Sequence, residues 1–248
     1  MFDFDFGPRY PISRRTWPYV LGGLVAVLLL ALLADAAFSR FATTWPEPWR
    51  WFFGVATELG DSYWILVCAL KLTLLSAGLA FIIHDRLPRL MLIEQTKVWA
   101  FVFLGVAIPG IIANLIKRAI GRSRPELLND NGVLSFHSFA NDWRYESFPS
   151  GHATTIFALA MVVCFLKPRW SIPALAVAVI VAFSRVPVGA HFLTDAIGGA
   201  ALGTVAAFAV RDVFAWRGWL FRRMPSGRIE GPMIPATREI LSGQRDSA

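Results

Sequence analysis

The chain has 248 residues, of which 56% are hydrophobic and only 17% charged, and its mean hydropathy is +0.53. Soluble domains run nearer a quarter charged, and disordered chains pair few apolar residues with high net charge, so the composition excludes both and points to a polytopic membrane protein. The formal charge of +7 would suggest nucleic acid in a soluble protein; here it is expected in cytoplasmic loops and around a phosphate site.

About 20 apolar residues cross the roughly 30 Å hydrocarbon core of a bilayer. In chain order, residues 17–34 read as a first span; Arg14 and Arg15 precede it, but no small-residue cleavage site leads into a soluble domain, so it is not read as a signal peptide. Residues 45–60, with Trp45, Trp49, Trp51, Phe52 and Phe53, read as an interfacial aromatic belt or a short helix in the headgroup plane, either an anchor or a substrate-gathering surface. Residues 63–83, broken only by Lys71, and 98–116 read as full spans. Cys68 and Cys164 lie inside apolar runs, where packed thiols are expected rather than a disulfide or metal ligand. Residues 153–166 and 170–183 are 14 residues each, joined by the tight charged break Lys167, Pro168, Arg169, and one added turn at each far end would bring both near spanning length. Residues 192–210 complete six helices, and the Arg-rich stretch after Arg211, with Pro225, Gly227 and Pro235, reads as a tail of little intrinsic structure.

The expected fold is therefore all-α, a six-helix transmembrane bundle in a single domain over 1–248, with a catalytic core of about 98–212 and tails at 1–16 and 212–248. Fifteen Lys and Arg fall on the side of the termini against eight on the other, which makes both termini cytoplasmic. The dense cluster from Lys117 to Arg124 is then on the exported side, where the charge rule would not place it. That excess needs a functional reason.

Three clusters carry chemistry, all on the two exported loops. In the first, continuing the helix seven residues past Lys117 puts Lys117 and Arg124 on one face, with Pro125 ending the helix. Two converging cations suit a phosphate, although basic residues also snorkel to headgroups. In the second, Ser150 is a good N-cap and Gly151 admits close backbone approach, so the first free N–H groups of the helix face an anion. His152 beside them is a general acid or simply a residue at a helix start. In the third, Ser184 and Arg185 precede His191, and a helix beginning near His191 would set Asp195 under the imidazole at i, i+4, as an orienting carboxylate or a structural pair. His152, His191, Asp195 and His137 are the obvious metal ligands, but three nearby cations would repel a divalent ion; no metal and no cofactor is expected.

Together, Lys-x6-Arg-Pro at Lys117 to Pro125, Pro-Ser-Gly-His at Pro149 to His152 and Ser-Arg-x5-His-x3-Asp at Ser184 to Asp195 resemble, in this order, the signature of the type 2 phosphatidic acid phosphatase (PAP2) superfamily. The resemblance runs from about the third expected helix to the sixth. It implies that His191 is the nucleophile that forms a phosphohistidine, that Asp195 orients it, and that His152 protonates the leaving group. It implies further that Lys117, Arg124, Arg185, Ser150 and Gly151 hold the phosphoryl oxygens, without a metal, beneath a roof formed by residues 126–148. A phosphorylated membrane lipid is the implied substrate, the bilayer the partner, and the periplasmic face of a bacterial inner membrane the setting, with no role for nucleic acid.

The stretch from Tyr145 to His152 resembles the lipid A phosphatase branch, notably its 1-phosphatases. Undecaprenyl diphosphate and phosphatidylglycerolphosphate phosphatases share most of these features and stay open. So do, from other classes, a vanadium haloperoxidase and a lipid-phosphate transporter. The oligomeric state is not legible in the sequence.

Overall fold

The structure, a computed structural model, describes residues 17–225 and 229–232; the expected tail at 1–16 and most of the expected C-terminal tail lie outside the described residues. In order the chain forms α1 (Trp17–Thr43), α2 (Glu47–Glu58), α3 (Ser62–Ile82), α4 (Arg86–Ile120), the single turn α5 (Leu128–Asn131), α6 (Gly151–Leu166), α7 (Ser171–Ser184) and α8 (Leu193–Arg217). A two-residue antiparallel ladder then pairs β1 (Arg222–Arg223) with β2 (Ile229–Glu230). It is an all-α membrane bundle.

Four segments of the described residues are long and apolar enough to cross a membrane: Pro18–Thr43, Glu47–Ile82, Arg86–Ile120 and Leu193–Arg217. The expectation of six is corrected to that extent. α6 has 16 residues and α7 has 14, roughly 24 and 21 Å at 1.5 Å per residue, short of the hydrocarbon thickness. The extra turns are missing for local reasons. Ser150 caps α6 by accepting from the Ala153 N–H at 3.4 Å, and the chain leaves α7 at Arg185 to make a series of turns. α6 is apolar all round and packs against α7 and against the longer α4 and α8.

Outward faces confirm the solvent. Leu33 and Phe81 are 82% and 86% exposed, as lipid-facing side chains should be, whereas the inward stripe of α1 is Ala31, Asp35, Ser39 and Ala42, spaced four, four and three. α1 is nine residues longer than its apolar run because this stripe continues past Ala34 against α8. Two other expectations change. Cys164 is buried but Cys68 is exposed, and both thiols are free. Beyond Arg211 the chain is not yet a tail: α8 continues to Arg217, Gly218 ends it in the left-handed region, and Leu220 and Phe221 fold back into the cluster of Phe101, Phe165 and Phe214.

Candidate active site

All three clusters meet at one end of the bundle. The first is built differently from the expectation: α4 stops at Ile120, three residues beyond Lys117, because Gly121 takes φ +64°. A side chain there would strike the His137 backbone, so glycine is required twice over. Lys117 and Arg124 therefore do not share a helix face. Arg124 is returned to the site by backbone bonds that strap the loop over the end of α4. The Ser123 N–H donates to Ser135 O at 3.0 Å, the Arg124 N–H to Arg144 O at 2.8 Å, and the Ser147 N–H to Arg122 O at 3.0 Å. Of the rings in residues 126–148, Trp143 lies 4.9 Å from the Arg124 guanidinium and His137 is tilted against Tyr145 at 4.3 Å, while Phe136 and Phe139 are exposed.

Lys117 is buried in the last turn of α4, and its Nζ lies 3.6 Å from where a Cβ on Gly151 would stand, so the ammonium meets the start of α6. Ser150 caps that start as expected, and its own N–H donates to Asp195 O at 2.9 Å, tying the second cluster to the third. His152, in the first turn, lies within electrostatic reach of Arg185, His191 and Lys117. Arg185 follows α7, accepts the His191 N–H on its carbonyl at 3.1 Å, and donates from Nη1 to the Thr57 hydroxyl of α2.

His191 stands two residues before α8 rather than inside it, and is 2% exposed. Its Nδ1 is 3.6 Å from Asp195 Oδ2, an ion-pair distance longer than a hydrogen bond. Burial, helped by the positive charges of Lys117 and Arg185 and opposed by Asp195, lowers its pKa to about 4, so the imidazole is neutral at neutral pH. Burial likewise lowers Arg185, to about 10, and Arg124; both stay cationic.

Asp195 is wholly buried and fully engaged. Oδ1 accepts from Arg122 Nη1 at 2.6 Å, and Oδ2 accepts from the Ser147 hydroxyl and from the Phe192 N–H at 2.9 Å. Among the described residues, the buried polar side-chain atoms without a partner are Arg124 Nε, Arg185 Nε, His191 Nδ1, Ser123 Oγ and Ser171 Oγ. Three of these five belong to the site, and two are cationic donors. His191 Nδ1 faces Asp195, and the two guanidinium Nε atoms with the first N–H groups of α6 form an environment for a doubly charged, multi-oxygen anion.

The structure thus brings Lys117, Arg124, Ser150, Gly151, His152, Arg185, His191 and Asp195 to one place. The sequence reading missed Arg122, Asp35, Ser147, Thr194 and Thr57. Asp35 carried a signal, an acidic residue on a helix that crosses the bilayer, but the apolar run was closed one residue before it. α2 also does more than lie at an interface, since Thr57 holds Arg185 and a side chain on Gly60 would collide with His152 and Val181.

Residues 98–219 match the PAP2 superfamily. The chain is 35% identical over 204 residues to the lipid A 1-phosphatase of Rhizobium johnstonii, covering 82% of this chain and 83% of that one. It is 28% identical over 193 residues to phosphatidylglycerophosphatase B of Bacillus subtilis, covering 72% and 82% respectively. The crystal structure of Aquifex aeolicus LpxE superposes with a TM-score of 0.52 at 18% identity, over 72% of this chain and 94% of that one, a likeness of fold.

Proposed function

This chain belongs to the PAP2 superfamily and is a membrane lipid phosphatase of that family, and we propose that it acts on a lipid headgroup phosphate through a phosphohistidine formed on His191. The observation that carries the reading is the neutral, buried His191 with Asp195 behind it and Lys117, Arg124, Arg185 and the start of α6 around it. With Nδ1–H directed at Asp195, Nε2 is the free lone pair. It attacks phosphorus as the bond from phosphorus to the leaving oxygen breaks; His152, whose pKa burial and the neighbouring cations lower to about 4, takes up a proton when the phosphate dianion binds beside it and gives that proton to the leaving oxygen. Water then attacks the phosphohistidine, losing a proton to His152, and inorganic phosphate departs. The cations and helix N–H groups stabilise the equatorial oxygens in both transfers, the task a divalent ion performs in many phosphoryl-transfer sites.

The substrate we propose is the 1-phosphate of lipid A, supported by the relative that shares a third of its residues over most of both chains. Phosphate release from purified full-length protein, measured across lipid A 1-phosphate, undecaprenyl diphosphate, phosphatidylglycerolphosphate and phosphatidic acid, tests it. Lipid A is expected to be fastest, and a faster rate on another lipid overturns that assignment. No release from any of the four overturns the phosphatase reading for this site.

For the membrane we propose cytoplasmic termini and a periplasmic site. α1, α3 and α4 bring the chain to the face that carries the motifs, the α6–α7 pair returns it to that face however deep it reaches, and α8 takes it back. In a Cys68→Ser background, a cysteine at exposed Asp130 should react with an impermeant thiol reagent from outside, and one at exposed Arg169 should not. The reverse pattern would invert the topology.

A further inference from the structure

Arg122 is the most heavily engaged cation at the site, yet it is none of the motif positions. It is 3% exposed, and its fork is spent entirely inside the protein. Nη1 donates to Asp195 Oδ1 and to Thr194 Oγ1, each at 2.6 Å, Nη2 donates to Asp35 Oδ2 at 2.9 Å, and Nε donates to Val133 O at 3.3 Å. Its guanidinium also lies 4.6 Å from the Phe192 ring. Asp35, 1% exposed in the middle of α1, takes the Thr194 N–H on Oδ1 at 3.0 Å and the Thr194 hydroxyl on Oδ2. A carboxylate from the first helix thus caps the first turn of the last one.

Burying two carboxylates and a guanidinium costs several kcal/mol per ion before their attraction returns any of it, and apolar residues of similar size would close the same gap at least as stably. Stability alone does not account for the trio. Its geometry does. Asp195 must present Oδ2 to His191; the Ser147 hydroxyl and the Phe192 N–H hold that oxygen itself, and the plane of the carboxylate is set once the other oxygen is held as well. Arg122 holds Oδ1 with a short charge-assisted bond, and Asp35 in turn fixes the plane of Arg122 and the N–H of Thr194, the neighbour of Asp195.

We propose that Asp35 and Arg122 are a positioning pair that sets the Asp195 carboxylate against His191, so that α1, which bears none of the three motifs, takes part in the reaction. The proposal rests on the reading of Asp195 as the group that orients a nucleophilic His191. Arg122 and Asp35 touch no substrate in it. They act through Asp195, so their loss should lower turnover while leaving the phosphate cage of Lys117, Arg124 and Arg185 intact.

The test uses full-length protein in detergent with p-nitrophenyl phosphate as substrate and inorganic phosphate as product inhibitor. Asp35→Asn and Arg122→Gln are expected to lower kcat by about 10- to 100-fold, the range typical of second-layer partners of catalytic groups, while KM and the phosphate inhibition constant stay within about twofold. Arg122→Lys should recover part of the loss. In an Asp195→Ala background, adding Arg122→Gln should cost less than about twofold, since a residue that works through Asp195 has nothing left to position. A kcat near wild type in Asp35→Asn and Arg122→Gln overturns the proposal. So does a loss that multiplies with that of Asp195→Ala, or a rise in KM and the phosphate constant as large as the fall in kcat. If Arg122→Gln does not fold, Asp35→Asn, which keeps the shape and one acceptor oxygen, decides by the same criteria. Wild-type turnover in Asp195→Ala would instead overturn the reading of the site itself, and the positioning proposal with it.

Discussion

At its first turn α8 carries Asp195, held by Arg122, Ser147 and the Phe192 N–H. Four turns on it carries Arg211, whose guanidinium lies 4.8 Å from the Phe165 ring and 4.7 Å from the Phe208 ring, and then Phe214, whose ring centre is 5.1 Å from that of Phe101. Both ends bury charge in a membrane bundle. The first does so with directed bonds from three separate segments of the chain, and the second with a local pair, Arg211 Nε and Nη2 donating to Asp212 Oδ1 at 3.0 and 2.7 Å, beside ring faces that accept a cation over a broad range of positions. On the proposed mechanism one end holds a reacting atom in place, and the other only needs to stay closed. Changes at the first should therefore destroy turnover in a folded protein, and changes at the second should unfold a protein that is chemically intact.

The largest effect is expected at the histidines. His191→Ala should abolish turnover on every phosphate ester, a loss of about 10⁴-fold or more, because the covalent step is gone. His152→Ala should cost about 10²- to 10⁴-fold on an alkyl phosphate and far less on an aryl phosphate, whose phenolate leaves without a proton. Equal losses on both esters for His152→Ala would reassign it to phosphate binding. On the proposed mechanism the nucleophile must be neutral, so the depressed pKa of His191 should put the acid limb of kcat/KM near 4 instead of 6.5 once the ionisation of the substrate is corrected for, with activity falling as pH drops through that value.

At the other end, Phe101→Ala should lower unfolding stability by about 3–5 kcal/mol through the cavity it leaves among Phe165, Phe214 and Phe221. Thermal unfolding in detergent reads this, and kcat of the folded fraction should stay within about twofold of wild type. A fall in kcat comparable to that of the histidine variants would erase the contrast between the two ends. The smallest effect sharpens it. Thr57→Val removes one hydroxyl partner of Arg185, worth about 1 kcal/mol, so KM should rise roughly fivefold with kcat unchanged. A change in kcat instead would place Arg185 in the chemical step more than in binding.

The helical class, the membrane setting and the eight motif residues are all legible in the linear chain, because hydropathy over 20 residues and short fixed spacings are local properties. So is the cap of α6, where Ser150, Gly151 and His152 are consecutive. The end of α4 was not legible: continuing a helix from Lys117 to Arg124 is reasonable by periodicity, but the loop that crosses at His137 requires Gly121 in the left-handed region, and that loop is placed by bonds to residues up to 25 positions away. The length of α6 and α7 was misjudged because hydropathy counts apolar residues and does not see the Ser150 cap that starts α6 or the turns from Arg185 that end α7.

The sequence by itself determined which groups could do the chemistry, since a phosphate site without a metal needs cations, helix N–H groups and an imidazole, and each announces itself by residue type. Tertiary structure alone decided what aims them. Asp35 and Arg122 are 87 positions apart and Arg185 and Thr57 are 128 apart, and no periodicity links residues at such separations; they meet because α1 and α2 pack beside the helices that carry the site, and a buried charge takes its partner from whatever the packing brings within reach.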